Sequence, residues 1–160
     1  VRGPEGHLVI GVNGGGFFHT ATDARPVKEE QGGGALVNVS SIASIRSPKG
    51  VSYIAYNASK GAVNSRTIAI ASQYADKGIR CNAILPGLMH TPLVEARLVR
   101  QIGGNDAEKL IAERNARVPL GKMGDAWDVA HAVLFRASDE AKYITATEIV
   151  VDGGVTAARP

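Results

Sequence analysis

From Ala35 to Ser40 the chain reads Ala-Leu-Val-Asn-Val-Ser, a short β-rich apolar run that follows the flexible Gly32-Gly33-Gly34 turn. That pattern predicts a mostly buried strand. Between Tyr56 and Tyr74 the spacing changes, with Val63, Thr67, Ile70, Ala71 and Tyr74 recurring at intervals of three and four. It predicts a helix of about five turns over Tyr56 to Ala75, which Asp76-Lys77-Gly78 ends with a glycine just past the last turn. A second apolar strand, Ile79 to Leu85, follows at once and is closed by Pro86-Gly87. Strand, helical crossover and strand make a βαβ unit, right-handed and with parallel strands. Farther on, Ala107 to Arg117 and Asp125 to Ser138 show helical spacing, and Glu148-Ile149-Val150-Val151 before Asp152-Gly153-Gly154 predicts a third strand.

The first thirty residues send mixed signals. Leu8-Val9-Ile10 and Phe17-Phe18 call for burial, whereas Gly14-Gly15-Gly16 would each cost roughly 1 kcal/mol inside a helix. Propensity alone predicts a loop there. The stretch 92–124 is charged and only partly apolar, and is expected to be a mobile insertion forming a substrate lid.

Composition narrows the class. With 160 residues, 44% hydrophobic and 21% charged, the chain can bury one moderate core and is expected to be a single soluble domain over 1–160. No apolar run approaches the roughly 20 residues of a membrane span. The single cysteine, Cys81, cannot form an internal disulfide, which fits a reducing, cytoplasmic setting. The net charge of +3 comes from scattered residues without a basic run, so nucleic acid is not an expected partner. Val1-Arg2-Gly3-Pro4 offers neither an initiator Met nor a signal pattern, and is expected to be no natural start. The 19 glycines cluster at 14–16, 32–34, 103–104 and 153–154, as tight turns do.

In open parallel sheets ligands bind beyond the carboxyl ends of the strands. Ser40-Ser41 sits there after the first strand, and Pro86-Gly87 with Thr91 after the second. The helix between them begins with Tyr56, and Lys60 follows one turn later on the same face. An ammonium held beside a phenol favours the phenolate, which suits acid/base work. A solvated lysine beside a half-buried tyrosine would show the same spacing. His7, His19, His90 and His131 share no metal-ligand spacing, and no metal is expected.

Five stretches in order resemble the short-chain dehydrogenase/reductase family: Val12-Asn13-Gly14-Gly15-Gly16, Gly34 to Ser41, Tyr56 to Lys60, Cys81 to Thr91 and Ile144 to Gly154. The resemblance covers nearly the whole chain and is nearest the 3-oxoacyl-carrier-protein-reductase-like branch. It implies an α/β fold, the C-terminal half of a Rossmann-like, doubly wound parallel sheet, and hydride exchange between NAD or NADP and a small-molecule alcohol or ketone. Tyr56 is then similar to the general acid/base, and Lys60 to the residue that assists it and binds the nicotinamide ribose. Ser41 looks like the hydroxyl that holds the substrate oxygen, with Ser40 as alternative. A two-residue extension through Ser47-Pro48-Lys49-Gly50 would absorb the longer spacing to Tyr56. Asn13 matches the asparagine that anchors a water beside the lysine. Pro86, Gly87, Met89 and Thr91 resemble the loop that holds the nicotinamide carboxamide. A homodimer or homotetramer is implied as well.

The family's opening strand and Thr-Gly-x-x-x-Gly-x-Gly turn have no counterpart here, so the resemblance implies a longer natural polypeptide. A sheet of three strands would leave the inner edge of Ala35 to Ser40 unpaired and exposed. Arg66 and Arg136 stand where the family places leucine, and a buried, unpaired arginine costs several kcal/mol. Ala146 stands where glycine is common. Two functions from different classes follow: the catalytic portion of a nicotinamide-dependent oxidoreductase, or a non-catalytic remnant that binds partners or copies of itself.

Overall fold

The computed structural model describes residues 4–47, 53–96 and 107–158. Three strands, β1 (Gly34–Val39), β2 (Ile79–Pro86) and β3 (Glu148–Val151), form one parallel sheet in the order β1-β2-β3. Gly34 pairs with Ile79 and Val39 with Ile84, while β3 joins farther along, from Ala83↔Glu148 to Pro86↔Val151. The central strand is the core: Cys81, Ala83, Ile84 and Leu85 are fully buried. On β1 the flank away from β2 has no strand partner among the described residues, and the strand is half-buried throughout, ending on an exposed Val39.

Among the described residues the sheet is accompanied by the helices α1 (Pro4–Ile10), α2 (Gly16–Glu30), α3 (Ile54–Tyr74), α4 (Ala107–Asn115) and α5 (Ala126–Ala137). Hydrogen bonds locate α3 on one face of the sheet, where Asn38 of β1 donates to Thr67 Oγ1 at 2.9 Å and to Cys81 Sγ at 3.3 Å. On the other face Arg80 of β2 reaches the end of α5, donating to the Arg136 carbonyl at 2.8 Å. The crossovers therefore wind on both sides, as a Rossmann-like sheet requires.

The expected strands and helices recur within one or two residues of their predicted ends. Gly78 stops the α3 segment with φ of +71°, a left-handed geometry natural to glycine. Its carbonyl lies so near Gly33 that a Cβ there would come within 2.7 Å of it. α5 opens on a reciprocal cap, with the Asp125 carboxylate accepting from the Trp127 and Asp128 amides and Asp128 accepting from the Asp125 amide.

Residues 4–30 are helical where propensity alone predicts a loop. They run α1, a π turn over Gly11–Gly15 and α2 without a break. Tertiary contacts outweigh glycine's propensity cost: α1 packs on α3, and Arg66 of α3 places its guanidinium 4.1 Å from the Phe18 ring centroid and donates to the Gly14 carbonyl at 3.3 Å. Arg66 is thereby partnered, half-buried and stacked. Of the expected insertion, residues 92–96 are helical, 107–115 form α4 and 97–106 lie outside the described residues.

Candidate active site

The site grows from the carboxyl end of β1 and the first turns of α3. Two hydrogen bonds lock these elements together: Lys60 Nζ donates to the Val39 carbonyl at 3.1 Å, and Ser40 Oγ donates to the Lys60 carbonyl at 3.1 Å. Ser40 is 3% exposed and so is spent as a strut. Ser41 is the half-buried serine that remains. Its Oγ accepts from the Ala43 amide at 3.1 Å, which leaves its hydroxyl proton to donate.

Tyr56 and Lys60 occupy successive turns of α3, with Lys60 Nζ 5.8 Å from the Tyr56 ring centroid. Both are half-buried. Burial lowers the Lys60 pKa below the ordinary lysine value. Asn13, in the π turn, reaches the same helix: its Nδ2 donates to Ser59 Oγ at 3.1 Å, and Ser59 Oγ donates to the Tyr56 carbonyl at 2.8 Å. Ser59 is thus a link that sequence reasoning passed over, although it stands inside the Tyr56–Lys60 stretch. Asn64, two turns after Tyr56, donates to Ser44 Oγ at 2.9 Å, and Ser44 Oγ donates to the Ser41 carbonyl at 2.6 Å.

The second wall is the loop after β2. Pro86 ends the strand, and the Gly87 amide donates to the Val151 carbonyl at 2.9 Å. A Cβ on Gly87 would fall 2.5 Å from Asp152 Cβ, so the backbones touch there. Met89 bridges Gly124: the Gly124 amide donates to the Leu88 carbonyl at 3.2 Å and the His90 amide to the Gly124 carbonyl at 2.7 Å. That parallel pattern turns the Met89 amide and carbonyl away from Gly124. The Thr91 carbonyl accepts from the Val94 and Glu95 amides, and Thr91 itself is half-buried at the helical start. Pro48 to Gly50, the expected loop extension, lie outside the described residues.

Asp152 binds its own turn. Although burial opposes ionisation, hydrogen bonds from Thr156 and Gly154, with Arg46 nearby, hold its carboxyl below the usual range. One cleft of about 580 Å³ opens at the opposite, amino ends of the strands beside Gly34, Ile79 and Arg80. It is remote from these groups, so the arrangement of polar residues rather than cavity size marks the site.

A nicotinamide ribose presents hydroxyls and its carboxamide one donor and one acceptor. The Lys60 ammonium, the Thr91 hydroxyl and the Met89 main chain form a donor and acceptor set that fits them. Among the described residues no glycine-rich strand-to-helix turn is present for the pyrophosphate.

Residues 4–156 match the family model described as enoyl-(acyl carrier protein) reductase. The chain is 40% identical over 149 residues to 2-(R)-hydroxypropyl-CoM dehydrogenase of Xanthobacter autotrophicus, covering 93% of this chain and 56% of that protein. It is 41% identical over 125 residues to dehydrogenase/reductase SDR family member 6 of Xenopus laevis, covering 78% and 49%. Aldohexose dehydrogenase of Thermoplasma acidophilum superposes with a TM-score of 0.92 at 35% identity, covering all of this chain and 62% of that one. The chain spans about half the length of the curated relatives it matches. A tyrosine and lysine one turn apart behind a serine-ended parallel strand, on a backbone shared from end to end with such an enzyme, place this chain in the short-chain dehydrogenase/reductase family.

Proposed function

We propose that this chain is the catalytic portion of an NAD- or NADP-dependent oxidoreductase acting on a carbonyl or secondary alcohol. The observation that supports the reading is the pair of struts, Lys60 Nζ to the Val39 carbonyl and Ser40 Oγ to the Lys60 carbonyl, which ties the turn of α3 that runs from Tyr56 to Lys60 to the end of the strand that Ser41 follows. Tyr56 exchanges the proton of the substrate oxygen, and Ser41 donates a hydrogen bond to that oxygen. Lys60 holds the nicotinamide ribose and supplies positive charge next to the phenol. Asn13, through Ser59, fixes the turn that carries Tyr56. Pro86, Gly87, Met89 and Thr91 hold the carboxamide. When bound, the dinucleotide supplies or accepts the hydride. Residues 92–124 carry the substrate determinants.

The test is Tyr56→Phe in the product of the complete reading frame, assayed with NAD and NADP against a panel of secondary alcohols. Turnover should fall by about 10²- to 10⁴-fold while dinucleotide affinity, read by NAD(P)H fluorescence, stays the same. Retained turnover refutes the proton role. The 160-residue chain by itself should bind NAD(P)H weakly or not at all, since its described residues hold no pyrophosphate turn.

A further inference from the structure

The segment that follows Ser41 is held from two directions. On one side Asn64 and Ser44 tie the Ser41 carbonyl to α3, the helix of Tyr56 and Lys60. On the other side stands Arg46, joined rigidly to Ser41 by the short helical turn Ile42–Ser44, whose Ile42 carbonyl accepts from the Ile45 and Arg46 amides. The Arg46 guanidinium donates to three main-chain carbonyls of the C-terminal turn: Val155 at 2.6 Å and Thr156 at 2.8 Å from Nη1, and Ala158 at 3.1 Å from Nη2. That turn is braced internally by the Asp152 carboxylate, which accepts from the Gly154 amide at 2.8 Å and the Thr156 amide at 2.7 Å. Asp152 in turn lies against Gly87, so closely that no Cβ fits between them.

From this chain of contacts we infer that Arg46 is a positioning residue for Ser41. It fastens the serine's turn to the C-terminal turn that backs the Gly87 loop, so that the group holding the substrate oxygen and the loop holding the nicotinamide keep one fixed relation. The planar fork reaches the three carbonyls with fixed N–H groups spread over two nitrogens, whereas the three N–H groups of a lysine ammonium sit on one atom at the end of a flexible stem. The inference rests on the reading of Ser41 given above, and concerns how that serine is held.

Two measurements test it. Hydrogen–deuterium exchange on the 160-residue chain compares wild type, Arg46→Met and Arg46→Lys in peptides covering 40–47, 79–86 and 152–158. In Arg46→Met exchange should rise about tenfold in 40–47 and 152–158 together, with β2 unchanged and Arg46→Lys in between. Faster exchange in 152–158 alone overturns the inference. If β2 also loosens, Asp152→Asn replaces the variant; it weakens the same turn from its far end, and failure to loosen 40–47 with it likewise overturns the inference. In the complete enzyme, using an alcohol that wild type oxidises, Arg46→Met should lower kcat about 10- to 100-fold with dinucleotide Kd unchanged, and Arg46→Lys should recover part of it. An unchanged kcat overturns the positioning role. A wild type that oxidises no alcohol refutes the oxidoreductase reading, and with it the positioning role, while the exchange comparison still decides whether Arg46 couples the two turns.

Discussion

Arg80 donates to the main-chain carbonyl of Arg136 at 2.8 Å, so one arginine caps the end of the helix on which the other is buried. Its Nη2 also reaches the Ser138 carbonyl at 3.0 Å, where a cation meets the negative end of the α5 dipole. Arg136 is less well served. It is 5% exposed, and its Nε and Nη1 have no hydrogen-bond partner among the described residues. Burial, with the Arg80 charge adding to it, lowers its pKa. The sequence expectation of a costly buried arginine is thus met at Arg136 but not at Arg66. Arg136→Met should stabilise the chain by about 1–4 kcal/mol, since an unbranched apolar side chain removes the unpaired polar atoms and fills most of the space of the arginine stem. Chemical denaturation checks it; a destabilised variant would mean that the guanidinium is paired in solution.

Ala146 has φ of +58°, the one non-glycine residue in the left-handed region among those described. The strain persists because its amide donates to the Cys81 carbonyl at 2.9 Å and Asn82 pins Ile144 and Thr147 on either side. Ala146→Gly relieves a penalty of about 1–2 kcal/mol and returns part of it as unfolded-chain entropy. A net gain of about 1 kcal/mol is expected, visible as a Tm higher by a few degrees in calorimetry.

The Asn13–Ser59 contact is asymmetric. Ser59→Ala removes the partner of a half-buried amide and the bond to the Tyr56 carbonyl together, whereas Asn13→Ala leaves the serine still bonded to Tyr56. Urea titration should show Ser59→Ala costing about 1–3 kcal/mol and Asn13→Ala about half as much. Equal costs would argue against this hydrogen-bond order.

For Lys60, burial of the ammonium weakens its charged form, while its bond to Val39 is made with that form. Lys60→Met should therefore leave the fold intact yet reduce turnover in the complete enzyme by about 10²-fold or more. Circular dichroism and steady-state rates together read both halves of that expectation.

Burial pushes the Cys81 thiol up to about 11 from the ordinary 9.0, with hydrogen bonds from Asn38 and Thr67 pulling the other way. The folded chain keeps the proton longer than the unfolded one, so this contribution is full below pH 9 and lost as pH rises through 11. Wild type should lose about 2 kcal/mol more than Cys81→Val between those limits in urea unfolding. Parallel curves for the two proteins would contradict the assignment.

The strands and the long helix could be read ahead of the structure because their signals are local. Ile79 to Leu85 is apolar at nearly every position, and Gly78 and Pro86 punctuate it. The segment before β1 could not, since what makes it helical lies outside it: the ring-stacking arginine is on α3, as is the serine that receives Asn13. Likewise Tyr56, Lys60 and Ser41 stand out by type and spacing, but Ser59, Asn64 and Arg46 have no spacing rule. Their partners are 46, 20 and 109 or more residues away in sequence.

The π turn at Gly11–Gly15 fits one more residue into a turn than an α-helix does, with the Gly16 amide reaching back to the Gly11 carbonyl. The three glycines of this turn, Gly11, Gly14 and Gly15, and Gly16 just after it have open space where a Cβ would go, so side-chain replacement meets no obstacle there. Length is another matter. Loss of one residue between Gly11 and Gly15 would regularise the helix and leave its two flanks nearly in phase, whereas one further residue that the turn could not absorb would swing everything before it by about 100° around the axis and carry α1 off α3. At this point of the chain the count of residues matters more than their identity.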